Sequence, residues 1–336
     1  MLLAYVGCRT TKERNARGKG ITTFEIIDGT WKEVNITKTL ENPSYQVIHP
    51  NKKFLYSVHG DITKISSYKI NDKNLELSNT FDIAGKNPVF IDIDKDEKHL
   101  IVAALQGGSL YSIEFEEDKI IGIKDTLEFK TKTGLAFAHQ CYFDKTKQYI
   151  FVPCQGRDRG DSGLYVVKIN DGNFEITDYF EARKHSEPRH VVISNNNKNL
   201  YLINEWGNYI TFFEFDDKNG KINPKENLPT LPKDYTGHSQ ASTVVLSPDE
   251  KILVGSNRIY NHLVLYKIKE DGSLEEKEYI ETYGETPRFM TFYKNSLYVL
   301  NEDSDTIIEF EYKDETLVKK QIIESSSPVC LNFLEV

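Results

Sequence analysis

The sequence predicts an all-β chain: a seven-bladed β-propeller of four-stranded antiparallel blades, a single domain over residues 1–336. Three observations predict it. A short apolar run, a polar turn and a second apolar run recur six times, from starting points 45, 50, 50, 53 and 46 residues apart. Propeller blades repeat at roughly 40–50 residues. Aromatic residues make up 12% of the chain, with Tyr 19 and Phe 18 against Met 2, a bias that suits strands. Finally, no stretch carries an apolar stripe of helical period over a useful length.

The elements follow in order. Leu3–Gly7 reads as a return run, followed by strands over Ile21–Ile27 and Trp31–Thr37, so the N-terminus begins inside a unit. Full units open at Pro43, Pro88, Ala138, Pro188, Ala241 and Pro287, and each opening run closes five places later on an apolar residue. Polar turns such as Asp94–Glu97 and Asn195–Lys198 lead into the return runs FLYSV, HLIVAA, YIFV, LYLIN, ILVGSN and LYVLN. These inner runs are nearly continuous in apolar residues, as strands covered on both faces must be. Third strands are expected at Ile65–Ile70, Ser109–Phe115, Leu164–Ile169, Tyr209–Phe215, His262–Ile268 and Thr306–Tyr312. Alternating fourth strands are expected at Leu75–Phe81, Phe174–Phe180 and Leu274–Ile280. Pro328–Phe333 repeats the opening run, so strands from both termini complete the seventh blade and close the ring without a free sheet edge.

Composition narrows the function classes. Net charge is −9, which leaves no basic footprint for nucleic acid. An anionic substrate therefore needs local positive charge in its site. No apolar run approaches the ~20 residues of a membrane span, and MLLAYVGC lacks a basic leader, so it reads as a strand. Cys8, Cys141, Cys154 and Cys330 show no CxxC spacing. Reduced thiols in a cytoplasmic protein are expected, even for Cys8 and Cys330, which the shared blade brings close. No metal is expected: His185 and His190 lack a third ligand, and Asp92–Asp94–Asp96 has Glu97 where a calcium loop needs Gly. No cofactor is expected either.

The repeat gathers charge at one end of the ring. The residue after each opening position is Ser44, Val89, His139, Arg189, Ser242 or Arg288. Seventeen places after the opening stand Gly60, Leu105, Gln155, Glu205 and Arg258, with Glu302 matching after a turn two residues shorter. Antiparallel pairing puts both sets at the same end of each hairpin, so ring closure points them towards the mouth of one central channel. Two polar loops, Gln155–Gly163 and Lys221–Gln240, are expected to overhang that mouth.

The phrases AFAHQCYFD, EPRHVVIS, LYLINEWGN, VVLSPDEKILVGSNR and ETPRF, with the opening YVG, resemble the lactonase family of seven-bladed propellers over nearly the whole chain. That family includes the propeller type of 6-phosphogluconolactonase and fungal carboxymuconate-cyclizing enzymes. The resemblance implies a metal-free site that opens or closes a lactone, with His139, Arg189, Glu205 and Arg258 as its catalytic residues. Gln140, Gln155, His190 and Arg288 are expected to contact the substrate. Arginine suits a phosphate, a carboxylate or an oxyanion; Glu205 is expected to activate water and His139 to protonate the leaving alkoxide. The expected partner is a small anionic lactone, with 6-phosphogluconolactone leading. A muconate-type cyclase and a non-catalytic binding propeller are the alternatives. The sequence departs from the family at Val89–Phe90, at Ala104–Gly107, at His59–Gly60 where Asn-Glu is common, and at YVGCRT, which places Arg9 near the channel mouth.

Overall fold

Runs of six to ten residues, mostly apolar in the inner strands and alternating in the outer ones, pair into seven antiparallel sheets; the computed structural model describes residues 1–157 and 161–336. Inner strands Pro43–Ile48, Pro88–Ile93, Pro188–Ile193, Gln240–Leu246, Pro287–Tyr293 and Pro328–Glu335 pack side by side around one axis. The third blade supplies Phe137–Ala138 and Tyr142–Phe143, its expected single run being broken in two. Second strands such as Phe54–His59 and His99–Ala104 are buried throughout, whereas outer strands such as Lys119–Glu128 alternate between exposed and covered residues. The apolar content of each run thus follows its distance from solvent.

The ring closes as the termini require. Leu2–Cys8 pairs with Pro328–Glu335 from Leu2↔Glu335 to Cys8↔Pro328, and Ile21–Ile27 and Thr30–Thr37 complete that blade. Cys330 lies opposite Gly7, and all four cysteines are buried thiols; the Cys8 thiol donates to the Gly20 carbonyl at 2.7 Å.

Every inner strand carries one extra residue near its start. The ladder passes directly from Pro43 to Tyr45, Pro88 to Phe90, Pro188 to His190 and Pro287 to Phe289, leaving Ser44, Val89, Arg189 and Arg288 as bulges. Val329 is skipped in the seventh blade, Ser242–Thr243 interrupt the fifth, and residues 139–141 interrupt the third. A bulge re-aims a side chain out of the regular in–out alternation. The position after each opening residue therefore faces the axis.

Aromatic rings from several inner strands meet around the axis. Tyr45 stacks on Phe90 at 3.9 Å between centroids, Phe289 meets Tyr45 at 5.9 Å, and Phe90 meets His190 at 6.2 Å. At the far end, turn side chains cap their own hairpins. The Asp94 carboxylate accepts from the Lys98 and His99 amides and sits 2.7 Å from His99 Nδ1. Asp94 and Asp96 thus sit on a hairpin turn while Asp92 belongs to the strand Pro88–Ile93, and among the described residues no group of three metal-ligating side chains assembles.

The Lys221–Gln240 segment differs from expectation. Lys221–Pro229 is the outermost strand of the fourth blade, leaving only 230–239 as a loop. Pro224 and Pro229 are compatible with that strand because its free edge needs no further N–H donors. Among the described residues, no helix is long and apolar enough to cross a membrane.

Candidate active site

Two tiers of side chains surround the mouth. The lower tier is the set of bulge residues. The upper tier lies where each second strand ends: Gly60, Leu105, Gln155, Glu205, Arg258, Glu302 and, through ring closure, Arg9. Its position is set by backbone bonds from the residue before each opening proline. Asn42, Asn87, Glu187, Thr286 and Ser327 all have positive φ, between 44° and 59°. Their carbonyls accept from the amides of Gly60, Leu105, Glu205, Glu302 and Arg9 at 2.7–3.0 Å. A left-handed residue before proline, β-branched in the case of Thr286, is a disfavoured conformation that its surroundings must hold in place.

In the fourth blade the tiers meet at a carboxylate. Glu205 Oε1 lies 2.9 Å from Arg258 Nη2, and Glu205 Oε2 lies 3.2 Å from Arg189 Nε and accepts from Gln155 Nε2 at 2.8 Å. All four side chains are buried. Burial alone would raise the Glu205 pKa, but Arg258 and Arg189 outweigh it and hold the carboxyl at about 2. Arg189 Nη1 also donates to the Ser242 carbonyl at 2.8 Å and lies 3.3 Å from His190 Nε2. Burial followed by the Arg189 charge pushes both His139 and His190 well below the ordinary histidine range, so both rings are neutral at pH 7. The two rings meet edge to face at 5.3 Å.

The sixth blade repeats the arrangement more loosely. Arg288 Nη1 lies 3.4 Å from Glu302 Oε2, and Arg9 Nε lies 3.9 Å from Glu302 Oε1. Arg14 pairs through two nitrogens with Asp61, whose Oδ2 is 4.0 Å from Arg9 Nη1.

Between these clusters opens a cavity of about 910 Å³. Arg9, Arg14, Arg157, Arg258 and Arg288 line it with His139 and Glu205, while Val89, Leu105 and Phe137 form an apolar wall. A recess of about 30 Å³ continues downward past His139, Arg189, His190 and Arg288 to Tyr45 and Phe289. His139, Glu205, Arg258 and Arg288 therefore face the main cavity, while Arg189 and His190 face its floor. Gln155 stands behind Glu205. Gln140 is turned inward, its Oε1 accepting from the Val191 amide at 2.6 Å and tying the third blade to the fourth. Residues 158–160 of the Gln155–Gly163 segment lie outside the described residues; Arg157 reaches the cavity and sits 3.8 Å from Glu187.

Sequence reasoning did not single out Arg14, Arg157 or Trp206. Trp206 is 45% exposed at the rim, with its ring 5.0 Å from His238. Its signal was its place immediately after Glu205, where the chain turns at the mouth. Arg9 was placed near the mouth but not recognised as the seventh upper-tier residue, which emerges when the seventeen-place step is carried across the joined termini.

Comparison with known proteins agrees with this architecture. The family model described as "Lactonase, 7-bladed beta-propeller" matches residues 3–333. A 6-phosphogluconolactonase of Formosa agariphila is 31% identical, covering 93% of each chain. A 6-phosphogluconolactonase of Bacillus subtilis is 23% identical, covering 99% of this chain and 98% of its own. The solved structure of a periplasmic gluconolactonase of Pseudomonas aeruginosa superposes with a TM-score of 0.89 at 20% identity over the full length of both chains, a likeness of fold. The chain is a lactonase and belongs to the family of seven-bladed β-propeller lactonases.

Proposed function

We propose that this lactonase hydrolyses a small anionic sugar lactone, with 6-phosphogluconolactone as its substrate, in the cytoplasm. The observation that carries this reading is the convergence of five arginines on one cavity in a chain whose net charge is −9. An acidic protein that concentrates positive potential in one cleft draws anions there. Four buried thiols without a disulfide fit a reducing compartment.

The residues divide the chemistry as follows. Water adds to the lactone carbonyl carbon, negative charge builds on the carbonyl oxygen, and the ring C–O bond breaks to release an alkoxide. Arg258, at the cavity wall, stabilises the oxyanion; a preorganised donor of this kind contributes roughly 3–4 kcal/mol. Both Glu205 oxygens are already engaged, Oε1 by Arg258 and Oε2 by Arg189 and Gln155, which leaves neither free to take a proton from water. Glu205 acts as the anchor that fixes Arg258 and Arg189. His139 is neutral and lines the cavity. It takes the proton from the attacking water and returns it to the departing ring oxygen, so the step balances as lactone plus water to hydroxy acid. Positioned acid–base groups of this kind contribute roughly 10²–10⁴-fold.

The test is hydrolysis of 6-phosphogluconolactone measured above its spontaneous rate. His139→Gln and Arg258→Ala should each lower kcat by about 10²-fold or more. Rates equal to wild type in both variants would remove these residues from the mechanism.

A further inference from the structure

Resting on that reading, we propose that Arg9 is the specificity-determining residue, the seat of an anionic substituent carried by the substrate away from its lactone ring. Arg189 and Arg258 are answered by Glu205 at direct ion-pair distance, and Arg14 by both oxygens of Asp61. Arg9 has no such answer. It is 4% exposed, and its Nε and Nη1 have no hydrogen-bond partner. Its nearest carboxylate oxygens, on Glu302 and Asp61, stand at 3.9 and 4.0 Å. Both of these carboxylates are also claimed by another arginine.

A buried guanidinium with two idle donors is costly unless something completes it. Burial, and then the like charge of Arg288, lower its pKa to about 10. An anion between the two side chains offsets both effects through its negative charge. The neighbouring blade makes room for the Arg9 guanidinium itself. A Cβ on Gly60 would stand 2.6 Å from Arg9 Nη1 and 3.0 Å from Ser44 Oγ, so any side chain there would push the guanidinium aside. Arg9 lines both the main cavity and the recess beneath it, across the sixth blade from Arg258. A lactone whose carbonyl meets Arg258 and His139 can thus present a phosphoryl or carboxylate group to Arg9 and Arg288. Guanidinium groups match such planar or tetrahedral oxyanions.

The test uses the full-length protein with two lactones differing only in charge, 6-phosphogluconolactone and glucono-1,5-lactone. In Arg9→Gln the ratio of kcat/KM for the phosphorylated lactone to that for the neutral one should fall roughly tenfold to hundredfold, mostly through KM, as expected for a lost charged hydrogen-bonding group. Arg9→Lys keeps the charge without the fork and should fall between wild type and Arg9→Gln. A ratio unchanged in both variants, or equal losses on both lactones, overturns the proposal while leaving the lactonase mechanism intact. Binding of inorganic phosphate by calorimetry gives a readout that does not depend on turnover. Weaker binding in Arg9→Gln supports the seat even should the chosen lactones prove not to be hydrolysed; binding equal to wild type refutes it.

Discussion

The fourth and sixth blades present the same pair of residue types at the same two backbone positions, an arginine on the bulge and a glutamate where the second strand ends, and yet they behave differently. In the fourth blade, Arg189 and Glu205 are 3.2 Å apart, with Arg258 and Gln155 closing on the same carboxylate at 2.9 and 2.8 Å. In the sixth, Arg288 and Glu302 are 3.4 Å apart and Arg9 stays at 3.9 Å. Burial opposes ionisation of both carboxyls and both nevertheless lie below the usual range, Glu205 because of Arg258 and Arg189, Glu302 because of Arg288 and Arg9. The neighbouring blades make the difference. Gln155 and Arg258 flank Glu205 on either side, whereas beyond Arg9 the ring offers Gly60 and an Asp61 carboxylate at 4.0 Å that is already paired with Arg14. One pair is completed by the protein itself; the other is left for a ligand to complete.

The largest test of that contrast is stability. Glu205→Gln leaves two buried guanidinium groups without their carboxylate, and removing one partner of a buried pair costs roughly 3–5 kcal/mol. Glu302→Gln removes longer and more solvated contacts and should cost about 1–2 kcal/mol. Denaturant unfolding of the two variants beside wild type measures both. Equal losses would mean that the distances do not report a difference in completion.

A smaller effect is expected from Gly60→Ala. The added methyl group enters the space of the Arg9 guanidinium, and the flexible end of that side chain can move to accommodate it. Overall stability should change little, while the preference for a phosphorylated over a neutral lactone should fall by about threefold to tenfold, less than for Arg9→Gln. Steady-state kinetics on both lactones measures it. A preference equal to wild type would mean that the seat does not depend on the close packing of Arg9 against Gly60.

Much of this was legible in the sequence, and the physical reasons are specific. The blades are readable because strands buried on both faces demand unbroken apolar runs, as in HLIVAA and LYLIN, and polar turns recur between them at a fixed step. His139, Arg189, Glu205 and Arg258 are readable as one cluster because that step returns each to the same end of the ring. The broken inner strand of the third blade was not legible, because AFAHQCYF is as apolar as the unbroken runs. Nor was the outer strand Lys221–Pro229: its prolines argue for a loop until it is known to lie on a sheet edge. The inward turn of Gln140 onto the Val191 amide is likewise a fact of packing, since a polar residue beside His139 looks the same in sequence whether it faces substrate or backbone. The low pKa of Glu205 depends on distances to two arginines contributed by different blades, and residue type alone assigns it the role of base.

The smallest effect concerns whether the two arginine–glutamate pairs feel one another, and His139 is the probe. Burial, then Arg189, His190 and Arg288, keep its ring neutral well below the ordinary range. A base with a depressed pKa is in its active form above that value, so kcat/KM should stay level as pH falls through 6.5 and decline only on the acid side of it. The same shift acts on stability with a definite sign. The unfolded chain takes up protons at His139 and His190 below about 6.5 while the folded one resists, so stability should fall as pH drops from there. The Glu205 contribution is full above the unfolded glutamate value of about 4.5 and is lost only as pH falls towards 2. Replacing Arg288 by Met removes one positive charge from the surroundings of His139 and should move the acid limb of kcat/KM upward by about 0.3–1 pH unit, the range spanned by solvent-like and protein-like screening. A limb that stays where it was would mean that the open pair of the sixth blade acts on the substrate alone and leaves the proton carrier of the closed pair untouched.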